Sequence, residues 1–150
     1  MGLSGEQVLL VERLRSKLLD PATSLAAKHR VLFALRGLST PESQRALEAA
    51  LRDPSVLLRH EAAYCLGQQQ REAAATVLTE ILRDQQQHPM VRHEAAEALG
   101  AIGSPQCLSL VRAHCADDCL EVAQTYDRCS SCALSQDGSH GHHRECHGQA

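Results

Sequence analysis

With 150 residues, 43% of them hydrophobic, and a formal net charge of −3, the chain suits one modest core and offers no basic stripe for nucleic acid. It has no Trp, two Tyr and one Phe, so the core must be built from Ala, Leu and Val. That favours thin, closely packed helices and argues against a sandwich or barrel, which leans on aromatic and β-branched residues. No apolar run reaches the roughly 20 residues of a membrane span. The opening MGLSGEQ lacks the layout of a signal peptide, and Glu6 stands where a myristoylation pattern wants Ser or Thr. Seven cysteines, an odd number without a secretory signal, read as thiols of a soluble cytoplasmic protein.

Along the chain, AKHRVLFALRGL (27–38), LLRHEAAYCLGQ (57–68) and MVRHEAAEALGAIG (90–103) share one frame. His60-Glu61 and His93-Glu94 stand 33 residues apart, and His29-Arg30 fills the same position 31 residues before His60. A recurring unit of this length signals a stacked helical array. The segments 42–51, 71–83 and 105–115 supply the first helix of successive pairs. Asp53-Pro54 and His88-Pro89 put proline at or just before helix starts, where its missing N–H is harmless. Gly67, Gly100 and Gly103 fall near helix ends, as C-caps would. Ala62, Ala63 and Leu66, with Ala95, Ala96 and Leu99, mark faces able to pack tightly. The ankyrin signature is absent, and the expected fold is all-α: an α-solenoid of short HEAT-type helical pairs over residues 1–125. Cys65 and Cys107 are expected to be buried small hydrophobes; Cys115 and Cys119 flank a helix end.

A fourth copy is expected at CLEVAQT (119–125), but regular continuation would put Arg128 where Leu66 and Leu99 stand. The segment 126–150 is rich in Ser, Gly, Cys and His and reads as an unrelated, disordered tail. Its Cys129, Cys132, His140, His142, His143, Cys146 and His147 match no zinc module, so adventitious metal binding is the expectation there.

Adjacent residues on a helix point about 100° apart, so one His-Glu pair cannot surround an ion. Equivalent helices of neighbouring repeats, about 8–10 Å apart, can bring two imidazoles and a carboxylate to one metal. That two-His, one-carboxylate face is associated with non-haem iron(II). The competing reading is structural. A His-Glu dipeptide is usually a solvated surface pair, and a shared HEAT consensus also repeats Arg-x-x-Ala-Ala. His29-Arg30 reads as a structural cap, because Arg cannot ligate a metal. His88 and His114 lie near helix ends and read as exposed or capping.

The stretches HEAAYCLGQ (60–68) and PMVRHEAAEALGAIG (89–103), with Leu32-Phe33-Ala34-Leu35-Arg36-Gly37-Leu38, resemble the N-terminal half of deoxyhypusine hydroxylase over about residues 6–125. The resemblance implies a monooxygenase that hydroxylates deoxyhypusine on translation initiation factor 5A, using molecular oxygen at a di-iron centre. Carried over residue by residue, it implies that His60, His93 and Glu94 bind one Fe(2+). Glu61 would be the catalytic carboxylate facing the cavity, holding the amine of the substrate chain. Met90 is a candidate for the cavity lining, with packing as the alternative. The family's enzyme has two such halves, and this chain carries one ligand set. Self-association is therefore one expectation, a catalytically inactive HEAT scaffold or splice product a second, and an unrelated HEAT-like lyase or adaptor a third. No nucleic acid or membrane partner is expected.

Overall fold

Helix starts are the clearest link between these residues and their conformation. The computed structural model describes residues 4–114 and Val122, which form seven α-helices and no strand among the described residues. They are α1 (Gly5–Leu19), α2 (Leu25–Leu38), α3 (Pro41–Ala50), α4 (Val56–Gln69), α5 (Ala75–Arg83), α6 (Pro89–Ile102) and α7 (Pro105–Ala113). Ser24, Thr40, Ser55 and Ser104 each accept a backbone N–H three residues on, satisfying a donor that the helix leaves orphaned. Pro41, Pro89 and Pro105 open their helices, where no N–H is needed. His88 caps α6, its Nδ1 accepting Met90 N–H at 3.2 Å, while His114 Nδ1 lies 2.8 Å from Leu110 O.

Alternate helices line up. α4 packs along α2 on one side and α6 on the other, while α1, α3 and α5 cover them from behind. The register residues Leu35, Leu66 and Leu99 are fully buried, as are Ala62, Ala63 and Ala95. Cys65 and Cys107 also have no exposed surface, and burial pushes the Cys65 thiol up to about 12. Each fully buried Leu contributes roughly 1.5–3 kcal/mol through removal from water. This is the solenoid of helical pairs that the periodicity predicts.

Three details differ from the sequence reading. A first-pair helix, α1, precedes α2; its signal is the capping box in which Ser4 and Gln7 satisfy each other's backbone N–H. Residues 71–83 are not one helix but a 3₁₀ turn, Glu72–Ala74, followed by α5. Gly67 and Gly100 lie inside α4 and α6 and are not caps. A Cβ on Gly67 would stand 2.8 Å from Ala98 Cα, so this glycine lets the two backbones approach. α4 instead ends at Gln70 in the left-handed conformation (φ 51°), whereas Gly103 (φ 71°) ends α6 as expected. No helix among the described residues is long and apolar enough to cross a membrane. Cys115, the fourth copy at 119–125 apart from the buried Val122, and the tail at 126–150 lie outside the described residues.

Candidate metal centre

The close approach of α4 and α6 decides what their polar side chains meet. His60 and Glu61 lie in the second turn of α4, and His93 and Glu94 hold the same place in α6. Ala62, Ala63, Ala95 and Ala96 fill the space beneath them with small, buried side chains. His60 Nε2 lies 3.1 Å from Glu94 Oε2, the contact that joins the two motifs across the helix pair. Glu61 Oε1 comes within 3.5 Å of His60 Nδ1, yet that buried nitrogen has no hydrogen-bond partner. His93 Nε2 is 3.3 Å from Glu97 Oε1, one turn further along α6.

Glu94 is the most desolvated of these acids, with 9% of its side chain exposed, against 25% for Glu61 and 31% for Glu97. Burial, then the neighbouring charge of Glu97, pushes its carboxyl up to about 7; His93 pulls it down and Glu61 lifts it again. Three carboxylates on two facing helices thus share a partly dry surface with two imidazoles. Such a group gains from a cation in a way that exposed acids do not.

The donor types suit a divalent transition metal. Two donor atoms each about 2.1 Å from one ion, at a right angle, are about 3.0 Å apart. His60 Nε2 and Glu94 Oε2 stand at 3.1 Å, which matches that edge. His93 turns to Glu97 instead, and among the described residues no three His, Cys, Asp or Glu groups are gathered around one point. Met90 sits one turn before His93 with 38% of its surface exposed, so it belongs to the surface and not to the core. In the first repeat, His29 has a buried, unpartnered Nε2, while Arg30 is exposed.

The repeat frame does not single out Glu97. Its signal is the i, i+4 spacing from His93, at the position held by Phe33 and Tyr64 in the earlier repeats. Nor does the frame assign a role to the arginine of R-H-E. Arg59 NH1 donates to Asp53 O at 2.8 Å, and Arg92 Nε to Leu82 O at 2.9 Å, so this basic position fastens the helix.

Comparison with known proteins gives the class first. A model described as HEAT repeats matches residues 11–88, and one described as PBS lyase HEAT-like repeat matches 91–117. The chain belongs to the HEAT-repeat family. Within that class it is similar to deoxyhypusine hydroxylase: 50% identical to the Bos taurus protein and 47% to the Homo sapiens protein, each over 115 residues. Those alignments cover 77% of this chain and 38% of each relative. The Drosophila melanogaster protein is 41% identical over 127 residues, 85% of this chain and 40% of that one. The structure of human deoxyhypusine hydroxylase in complex with glycerol superposes with a TM-score of 0.82 and 40% identity, over 92% of this chain and 50% of that chain. The chain therefore spans about two fifths of the length of these curated relatives and half of the solved one.

Proposed function

We propose that this chain forms one half-site of a deoxyhypusine hydroxylase-type monooxygenase, with His60, His93 and Glu94 holding one iron(II). The observation that carries the reading is the 3.1 Å contact between His60 Nε2 and Glu94 Oε2, made between equivalent motifs of consecutive repeats. Similarity to deoxyhypusine hydroxylases across most of the chain supports it.

The chain's own residues divide the work by environment. Glu94, buried and held up to about 7, releases its proton from the carboxyl when a cation takes the site. Glu61, more exposed and beside the His60 ring, accepts N–H bonds from the ammonium end of a deoxyhypusine chain. Met90, exposed one turn before His93, meets the apolar part of that chain. Bound iron supplies the electrons that activate molecular oxygen for hydroxylation. The second ligand set of a di-iron centre comes from further repeats or from a second copy of this chain. The substrate is the deoxyhypusine form of translation initiation factor 5A, and the reaction is cytoplasmic, without nucleic acid or membrane.

The test is mass spectrometry of deoxyhypusine-bearing factor 5A after incubation with the iron(II)-loaded chain and oxygen. Gain of one oxygen atom, abolished by His60→Ala and strongly reduced by Glu61→Gln, supports the reading. If the loaded chain leaves the factor unchanged both alone and with a complementary half, hydroxylation is the wrong activity.

A further inference from the structure

The residue just before each histidine of the first two inner helices makes the same connection. Lys28, buried in α2, donates from Nζ to Asp53 Oδ2 at 2.8 Å. The other oxygen of Asp53 accepts the backbone N–H of Ser55, the N-cap of α4, at 2.9 Å. One repeat later, Arg59 Nε donates to Gln87 Oε1 at 3.0 Å, and that oxygen also accepts the backbone N–H of His88, the N-cap of α6, at 3.1 Å. A basic side chain on one inner helix therefore holds the loop side chain that holds the start of the next. The chemistry differs, ammonium to carboxylate and guanidinium to amide, yet the connectivity is the same.

The second strap lies where the metal site would be assembled. Arg59 is the neighbour of His60, and Gln87 is seven residues, about two helical turns, before Glu94. Arg59 is itself anchored, its NH1 donating to Asp53 O and Pro54 O at 2.8 and 3.2 Å. From the other side, Arg92 Nε donates to Leu82 O at 2.9 Å and ties α6 to the end of α5. A slip of α6 by one residue would swing Glu94 about 100° around the helix axis and end its contact with His60. We infer that Arg59 and Gln87 are positioning residues: their hydrogen bond sets the rotation and height of α6 against α4, and so holds Glu94 against His60.

This rests on the metal reading of the site, and the test keeps the two apart. Iron(II) retained by the full-length chain is measured above the amount retained by the His60→Ala/His93→Ala variant, alongside amide hydrogen exchange of the metal-free protein. Arg59→Met and Gln87→Leu are expected to weaken iron binding about tenfold or more, in the range seen when groups that orient ligands are lost. Both should speed exchange in the first turn of α6. Gln87→Glu, which copies the carboxylate of the first strap, should keep affinity within about twofold. Lys28→Met should speed exchange at the start of α4 and leave iron affinity within about twofold, because its strap fixes α4 against α2, which carries no proposed ligand, and leaves the Arg59–Gln87 link between α4 and α6 in place. Equal loss of iron affinity in Lys28→Met and Arg59→Met would overturn the positioning role, as would unchanged affinity in Gln87→Leu. If Arg59→Met does not fold, the partly exposed Gln87 carries the test. If the native chain holds no iron above background, the metal reading falls. The strap is then judged by exchange alone, and unchanged protection of α6 in Gln87→Leu overturns it.

Discussion

The repeat around α2 and those around α4 and α6 share a scaffold and differ in what they display. All three inner helices bury a leucine at the same register, Leu35, Leu66 and Leu99, and all place a basic residue and a histidine one turn into the helix. After that histidine comes Arg30 in the first case and Glu61 or Glu94 in the others. The approach of α4 to α6 then sets His60 against Glu94, a contact for which the Arg30 position offers no carboxylate. The fold is therefore indifferent to the residue after the histidine, and the contact between the motifs of neighbouring helices depends on it.

If the scaffold is shared, the leucines that contribute most to it should matter equally in every repeat. Leu35→Ala, Leu66→Ala and Leu99→Ala should each cost about 2–5 kcal/mol in denaturant unfolding, since each empties a fully buried site. A cost confined to one repeat would show that the array does not stack as one core.

Packing between inner helices should separate the regions at the next level. Gly67→Ala forces a methyl to within 2.8 Å of Ala98 Cα and should destabilise by about 1–3 kcal/mol, with weaker His60–Glu94 coupling. Gly37→Ala has nothing within 4 Å and should be neutral or slightly stabilising, by up to about 1 kcal/mol. Thermal melts of both variants measure the contrast.

A pH titration of stability reads the carboxylate directly. The Glu94 carboxyl is raised from 4.5 to about 7, so the folded state binds its proton more tightly than the unfolded state does. Its contribution is fully present below about pH 4.5 and is lost as pH rises through about 7. Glu94→Gln should therefore leave the metal-free protein about 1–2 kcal/mol more stable than the native chain at pH 8, with the difference vanishing near pH 4. Arg30→Gln, at the same register, should not alter the profile in that window.

The smallest effect belongs to the first strap. Burial raises the Asp53 carboxyl, but hydrogen bonds from Lys28 and Ser55 and the charges of Lys28 and Arg59 outweigh it and hold it below its ordinary value. This stabilisation exists above the ordinary pKa of 3.8 and is lost as pH falls below it. Lys28→Met should cost about 1 kcal/mol at pH 7 and less in acid, by denaturant titration.

The array itself is legible in the sequence, because the R-H-E-A-A frame recurs at nearly constant spacing and prolines and serines mark the helix starts. That the two His-Glu motifs meet follows from that period, since stacked helices bring equivalent segments together; that His60 meets Glu94 in particular depends on the spacing of α4 and α6. Other features depend on distances that no single segment contains. Gly67 reads as a cap by its place near a helix end, and only the nearness of Ala98 reveals its use. Glu97 stands where Phe33 and Tyr64 stand in the other repeats, so the frame offers no reason to group it with His93. Arg59 looks like consensus, and its link to Gln87 crosses a loop that differs in sequence from its counterpart at Asp53.

The most direct test of the metal centre is iron per chain after anaerobic loading, compared with the His60→Ala/His93→Ala variant so that other cysteine and histidine residues cancel. The expected result is about one more iron(II) per native chain than per variant, and its loss in Glu94→Ala. Equal iron in native chain and variant would mean that the contact between α4 and α6 is a structural ion pair and not a metal site.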